Sequence, residues 1–115
     1  MPKLVQITDL HLHAEPHAEL RGADVDAGLD AVLAHIRAHH WPLDGLLATG
    51  DLIQDDPAAY PRLRQRLTAP GVPVYCLPGN HDRREAMAEA LAECPVQWRR
   101  QLRLDGWQVL LLDSV

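Results

Sequence analysis

No apolar stretch in these 115 residues approaches the roughly 18 that a helix needs to cross a bilayer. Met1-Pro2-Lys3 leads straight into a strand pattern, without the long apolar core of a secretory signal. Positive charge is also short: 11 Lys and Arg stand against 16 Asp and Glu, for a formal charge of -5 and a pI near 5.7. Nothing here would neutralise a run of phosphates, which argues against coating nucleic acid or binding a membrane through a basic patch. A phosphate substrate stays open, because bound cations invert the local field. Cysteine is limited to Cys76, in an apolar strand pattern, and Cys94, near a helix end, so two reduced thiols are expected rather than a disulfide. That favours a reducing compartment, and the cytoplasm is the expected location. Repeats and low-complexity tracts are absent. What is present, 47% hydrophobic and 23% charged residues, suits an ordinary globular domain with a core of its own.

Strand and helix patterns alternate along the chain. Residues 3–8 carry Leu4, Val5 and Ile7 and read as a first buried strand. A long polar connection, 9–24, holds Pro16 and Gly22, and loops of that length are often functional. Asp24 is placed to cap a helix whose apolar positions Val25, Leu29, Val32, Leu33 and Ile36 share one face, ending near His39-His40. Residues 44–49 form a second strand. The next helix should begin in earnest at Pro61, with Leu63 and Leu67 inward, and Gly71 closes it before a third strand at 72–77. Asp82 and Glu85 resemble a capping box for a third helix with Met87, Ala90 and Leu91 inward. Asp105-Gly106 between residues 99–104 and 107–113 is a hairpin signal. The order strand, helix, strand, helix, strand, helix, strand, strand gives an α/β sheet with an antiparallel edge. The run Val109-Leu110-Leu111-Leu112 calls for cover on both faces three residues before the last one. Residues 1–115 are therefore expected to be the N-terminal portion of a larger domain.

At three strand ends the apolar pattern stops in a polar turn: Thr8-Asp9-Leu10-His11, Thr49-Gly50-Asp51 and Leu77-Pro78-Gly79-Asn80-His81-Asp82. Ligands bind at the carboxyl ends of strands in open α/β sheets, so the three clusters should converge. Their mixed oxygen and nitrogen donors suit a divalent transition ion such as manganese, iron or zinc. Taken singly, each has a plainer reading: Asp9 and Asp51 as turn residues, Asn80 as a left-handed position, Asp82 as a helix cap. His35, His39 and His40 sit at a helix end, where solvated histidines are ordinary. His13 and His17, in the first loop, could contact substrate or serve the loop itself. Trp41, Trp98 and Trp107 read as packing groups.

The ordered set Asp9-x-His11, Gly50-Asp51 and Gly79-Asn80-His81-Asp82 resembles the calcineurin-like metallophosphoesterase superfamily. Gln6-Ile7-Thr8-Asp9, the loop from His17 to Gly22, Gln54-Asp55 and Gln108 to Ser114 add a resemblance to bacterial class III cyclic-AMP phosphodiesterases. The resemblance implies the N-terminal half of a β-sandwich flanked by helices. It also implies two divalent metal ions, Fe2+ or Mn2+ first and Zn2+ as the alternative, and a cyclic nucleotide as substrate. Asp9 and His11 would bind the first metal, Asp51 would bridge both, and Asn80 would bind the second. His81 would be the catalytic group beside the scissile phosphate, with His11, Asp51 and Asn80 also touching substrate. The family's later His and its Gly-His-x-His segment have no counterpart here. In family phosphatases a carboxylate three residues after the bridging Asp orients the catalytic His; that place holds Gln54, with Asp55 next, and either could support His81.

Three other readings compete. A UDP-diacylglucosamine pyrophosphohydrolase shares the Asp-Leu-His-Leu start but carries Arg where His81 stands. Other branches act on nucleic acids or phosphoproteins. A non-catalytic interaction fragment would follow from an incomplete metal site.

Overall fold

A computed structural model describes residues 1–114. Four parallel strands form the central sheet: β1 (Leu4–Ile7), β4 (Gly45–Thr49), β5 (Val74–Leu77) and β6 (Val96–Trp98), side by side in that order. The long first connection folds back on itself as a small ribbon, β2 (Glu19–Leu20) with β3 (Ala23–Asp24). Helix α1 (Val25–His39) leads from β3 towards β4. A 3-10 turn (Pro57–Ala59) and α2 (Tyr60–Thr68) lead from β4 to β5, and α3 (Arg84–Ala90) leads on to β6. β7 (Gln101–Leu104) and β8 (Trp107–Leu110) make the expected hairpin. None of the described helices is long and apolar enough to cross a membrane.

The register places the site. Ile7, Ala48, Cys76 and Trp98 lie in one row across the sheet, so the exits of β1, β4 and β5 start level. One face of the interior strands is apolar and buried, while the residues alternating with it, Leu47, Thr49, Tyr75 and Leu77, are half-buried. Leu46, Ala48, Val74 and Cys76 are fully buried or nearly so. Leu63 and Leu67 of α2 and Met87 of α3, all at 0% exposure, cover them. Each such side chain contributes about 1.5–3 kcal/mol by leaving water. Pro61 starts α2 where the sequence places it, since a missing N–H costs nothing in the first turn.

Four expectations are corrected. The hairpin is a separate two-stranded sheet, and the central sheet ends instead on β6, which pairs in parallel with β5. Val32 is 44% exposed: the buried stripe of α1 runs through Asp26, Leu29 and Ile36 because Asp26 is drawn inward by a hydrogen bond from Arg62. Trp107 is 57% exposed and packs into no core. Asp82 does not cap α3, whose N-cap is Arg83 without any side-chain bond. Asp24, by contrast, caps α1 as expected, accepting from the Ala27 N–H at 3.0 Å. Of the apolar run at the chain's end, Leu111 is buried while Leu110 and Leu112 are 60% and 75% exposed.

Candidate metal centre

Past the strand ends, the loops after β1 and β4 continue side by side. Asp9, His11 and Leu12 donate their N–H groups to the carbonyls of Gly50, Asp51 and Leu52, and Gln54 returns one to Leu12. Asp9, His11 and Asp51 all have positive φ, at 58°, 48° and 47°. Such backbone is uncommon for residues with a Cβ, and it clusters where surrounding structure enforces it at functional sites. Its effect here is to turn three side chains to one point: one ligand atom from each lies within 4.8 Å of the others.

The loop after β5 closes on this pair through glycines. A Cβ on Gly79 would lie 2.3 Å from the Asp51 Oδ1 and 2.4 Å from its nitrogen, and one on Gly50 would meet the Gly79 backbone at 3.3 Å. Only hydrogen fits between the loops. Behind them Asp82 acts as a staple. Its carboxylate accepts from the N–H groups of Gly79 (2.8 Å), Leu52 (3.2 Å) and Ile53 (3.4 Å), and from the Tyr60 hydroxyl (2.9 Å). These buried backbone donors would otherwise be unpaired, at a cost larger than an exposed helix cap could recover. Tyr60 in turn accepts from the Arg83 N–H. Burial pushes its phenol well up, with a hydrogen bond from Arg83 opposing and the Asp82 charge reinforcing. Burial likewise pushes the Cys76 thiol up to about 12. Both cysteines are free, Cys76 buried and Cys94 exposed.

Each donor is oriented by a neighbour. The Thr8 hydroxyl donates to one Asp9 oxygen at 2.7 Å, and the other faces the His11 Nε2 at 3.7 Å. The Gln54 Oε1 lies 2.8 Å from the His11 Nδ1. A carbonyl oxygen there accepts a proton, so Nδ1 carries it and Nε2 keeps a free lone pair facing Asp9 and Asp51. Asp51 is split between two sides: Oδ1 accepts from the His81 N–H at 2.9 Å, while Oδ2 lies 3.9 Å from the His11 Nε2. The Asn80 amide end lies 3.2 Å from both Asp51 oxygens. Turned one way its nitrogen donates to them; turned the other, three oxygens converge and a cation between them would satisfy all three. The donor set therefore fits a divalent metal.

His81 settles the choice between Gln54 and Asp55. Its Nδ1 lies 3.1 Å from the Asp55 Oδ1, and its ring meets that of His11 edge-on at 5.4 Å. The hydrogen bond that the His81 ring donates to the Asp55 carboxylate raises its pKa above the usual imidazole value against partial burial, and the charges of Asp55, Asp51 and Asp82 add to it. Gln54 thus serves His11, and Asp55 serves His81. Asp55 is itself held by Arg83, which donates to its carbonyl.

His17 lies outside the cluster, bonded to Asp24 at 2.9 Å. Arg62 pins the first loop by donating to the carbonyls of His13 and Glu15 and to Asp26. Burial alone would push the Asp26 carboxyl up. The His17 N–H and the guanidinium groups of Arg62 and Arg66 overcome that and hold it below the usual carboxylate range. The staple role of Asp82, the Gln54 bond and the Gly79 cradle escaped the sequence reading. The spacing Gly50-Asp51-Leu52-Ile53-Gln54-Asp55 could have hinted at the second, since the loop after Asp51 returns past the loop that carries His11.

A family model described as calcineurin-like phosphoesterase matches residues 2–112. The chain is 42% identical over 114 residues to the 3',5'-cyclic adenosine monophosphate phosphodiesterase CpdA of Haemophilus influenzae, covering 97% of this chain and 42% of that protein. It is 40% identical over 114 residues to the CpdA of Escherichia coli strain K12, at the same coverage. A probable cyclic nucleotide phosphodiesterase of Synechococcus is 37% identical over 112 residues, covering 96% of this chain and 43% of that protein. The chain thus spans less than half the length of these curated relatives.

Proposed function

The chain belongs to the calcineurin-like phosphoesterase family, and from that premise we propose that it carries the metal-holding part of a phosphodiesterase that hydrolyses cyclic AMP to AMP. The observation that carries this reading is the convergence of Asp9, His11 and Asp51 within 4.8 Å, with Asn80 facing the same carboxylate. Relatives named cyclic-AMP phosphodiesterases supply the substrate class.

In this reading Asp9 and His11 would hold a first divalent ion, Asp51 would be shared with a second, and Asn80 would serve the second from this chain. Fe2+ or Mn2+ suits the oxygen-rich donors best, with Zn2+ as the alternative. The chemistry such ions would supply is polarisation of the phosphate and a bound water acidic enough to act as nucleophile near neutral pH. Asp9 and Asp51 would offset two of the four positive charges of two divalent ions, and the neutral Asn80 oxygen would add none, so a diester anion would still be attracted. His11, Asp51, Asn80 and His81 form the floor on which the phosphate rests. His81 gives a proton from Nε2 to the leaving ribose oxygen while Asp55 holds Nδ1; a raised pKa keeps that proton available. Asp51 and Asn80 are the two donors facing the second position among the described residues, so we infer that the remaining ligands come from outside this segment. The free thiols of Cys76 and Cys94 support a cytoplasmic setting.

The test pairs metal binding with chemistry. Mn2+ titrated into the protein and followed by electron paramagnetic resonance should bind, weakly in the 115-residue chain, and Asp51→Asn should abolish that binding. Mn2+-dependent conversion of cyclic AMP to AMP should be slow in this chain, faster in a longer protein carrying the further histidines, and lost in Asp51→Asn and His81→Ala. AMP formation that survives Asp51→Asn or exhaustive chelation would overturn the proposal.

A further inference from the structure

Just beyond His81, Arg83 reaches back 28 residues along the chain, where its Nε donates to the Asp55 carbonyl at 2.9 Å. Its own N–H donates to the Tyr60 hydroxyl at 3.0 Å, and that hydroxyl donates to Asp82 at 2.9 Å. The backbone of Arg83 is thus tied to the staple. Asp55 in turn places its Oδ1 3.1 Å from the His81 Nδ1, and its other oxygen accepts from the Gln54 side chain at 3.4 Å. Its φ is 64°, a left-handed backbone that a residue with a Cβ keeps where its surroundings enforce it. The side chains of His81 and Asp55 are 36% and 56% exposed, so packing alone does not fix them. Hydrogen bonds do. They close a ring: His81 to Arg83 through the chain, Arg83 to Asp55, and Asp55 back to His81.

We propose that Arg83 is a positioning residue for the leaving-group step: its Nε–H holds the Asp55 carbonyl, so that the Asp55 carboxylate keeps the His81 ring turned with Nε2 towards the departing oxygen. The inference rests on the phosphodiesterase reading for its kinetic consequences and on the ring of hydrogen bonds for the rest. The role asks for a donor at one place on the side chain and asks nothing of the charge. A cation that merely drew in a diester anion would act through charge and would show in KM; a strut acting through His81 shows in kcat. General acid catalysis is worth about 10²–10⁴-fold, and a displacement of about 1 Å can cost roughly 100-fold. Loss of the Nε bond loosens His81 without removing it, so it should take about 10-fold from the rate.

Two substitutions of similar length separate the roles. In Arg83→Gln the amide nitrogen falls where Nε stood, so the donor stays and the charge goes; in Arg83→Met a methyl group falls there and both go. Both should keep the far-ultraviolet circular dichroism and Mn2+ affinity of the unaltered protein. With Mn2+ present, Arg83→Met should lower kcat for cyclic AMP about 10-fold at unchanged KM, and Arg83→Gln should retain most of it. With bis-p-nitrophenyl phosphate, whose phenolate departs without a proton, the deficit of Arg83→Met should shrink. Added to His81→Ala, Arg83→Met should cost nothing more. Nitrogen-15 spectra of the His81 ring at alkaline pH, without metal or substrate, should show one tautomer, protonated at Nδ1, in the unaltered protein and Arg83→Gln. Arg83→Met should show a mixture. That spectrum does not depend on turnover: if the unaltered protein hydrolysed no diester, the functional reading would fail while the spectrum still tested the strut. Equal losses in Arg83→Gln and Arg83→Met, a raised KM, or a single His81 tautomer in Arg83→Met would overturn the proposal.

Discussion

Replacing Gly79 with Ala adds one methyl group at the tightest point of the metal centre, and its consequences can be worked out in advance. The backbone at Gly79 is not in the left-handed region, so Ala can adopt it without conformational strain. On the unfolded side Ala would even help, by about 0.4–1 kcal/mol, because it restricts the denatured chain. The steric side opposes this. The new Cβ would lie 2.3 Å from the Asp51 Oδ1, 2.4 Å from its backbone nitrogen and 2.9 Å from its Cγ, well inside any van der Waals contact. The Asp51 nitrogen is main chain and cannot rotate away, so the loop after β5 must retreat by roughly 1 Å, at an overpacking cost of about 1–3 kcal/mol. The net result should be a loss of about 1–2 kcal/mol in urea unfolding. Mn2+ affinity should fall about 10–100-fold, the scale on which displaced supporting groups weaken metal sites. Gly28→Ala supplies the control. Gly28 lies on the exposed side of α1 with nothing within 4 Å of its would-be Cβ, so the same substitution should stabilise by about 1 kcal/mol and leave Mn2+ binding alone. If Gly79→Ala matched the unaltered protein in both urea midpoint and Mn2+ affinity, the close apposition of the two loops would be refuted.

Other substitutions probe the groups behind the ligands. Gln54→Leu removes the acceptor at the His11 Nδ1 and should weaken Mn2+ binding about 10–100-fold. Nitrogen-15 shifts of the His11 ring should then show a mixture of tautomers, and an unchanged spectrum would leave Gln54 without the role assigned to it. Tyr60→Phe leaves Asp82 and the Arg83 N–H each short of a partner and should cost about 1–3 kcal/mol, measured as a drop in urea midpoint at constant slope. The depressed pKa of Asp26 gives a sign for acid unfolding: its stabilisation is complete above the unfolded value of 3.8 and drains away as pH falls through the lower folded value. Asp26→Asn should accordingly be less stable near neutrality and flatter below pH 3.8, whereas an acid limb as steep as that of the unaltered protein would move the effect to another carboxylate.

Much of this could be read from residue order because local chemistry and tertiary demand agree there. Asp24 caps α1 and Pro61 starts α2 for reasons confined to a single turn. The three polar strand exits were legible because apolar runs stop abruptly at Thr8, Thr49 and Leu77. What escaped reading depends on partners distant in sequence. Asp82 has the spacing of a helix cap with Glu85, yet its carboxylate is claimed by backbone groups 29 and 30 residues away. Strand β6 has only three residues, too few to display a period, and exists because β5 offers it an edge. Val32 fits the helical stripe by spacing, but the salt bridges of Asp26 with Arg62 and Arg66 set which side of α1 turns inward. The Gln54 and Asp55 roles could not be separated by counting, because Asp55 has φ of 64° and the loop reverses there.

The row Ile7, Ala48, Cys76 and Trp98 makes the sheet a ruler against which length changes are scored. Adding one residue inside β4 would carry Asp51 about 3.3 Å along the strand direction and invert which side of the sheet its neighbours address. The same addition in the ribbon turn at Arg21-Gly22 would leave that alignment untouched. Indels in this family should therefore be purged within the strands and accumulate at the ribbon, a pattern that a library of single-codon insertions selected for Mn2+ binding would make visible.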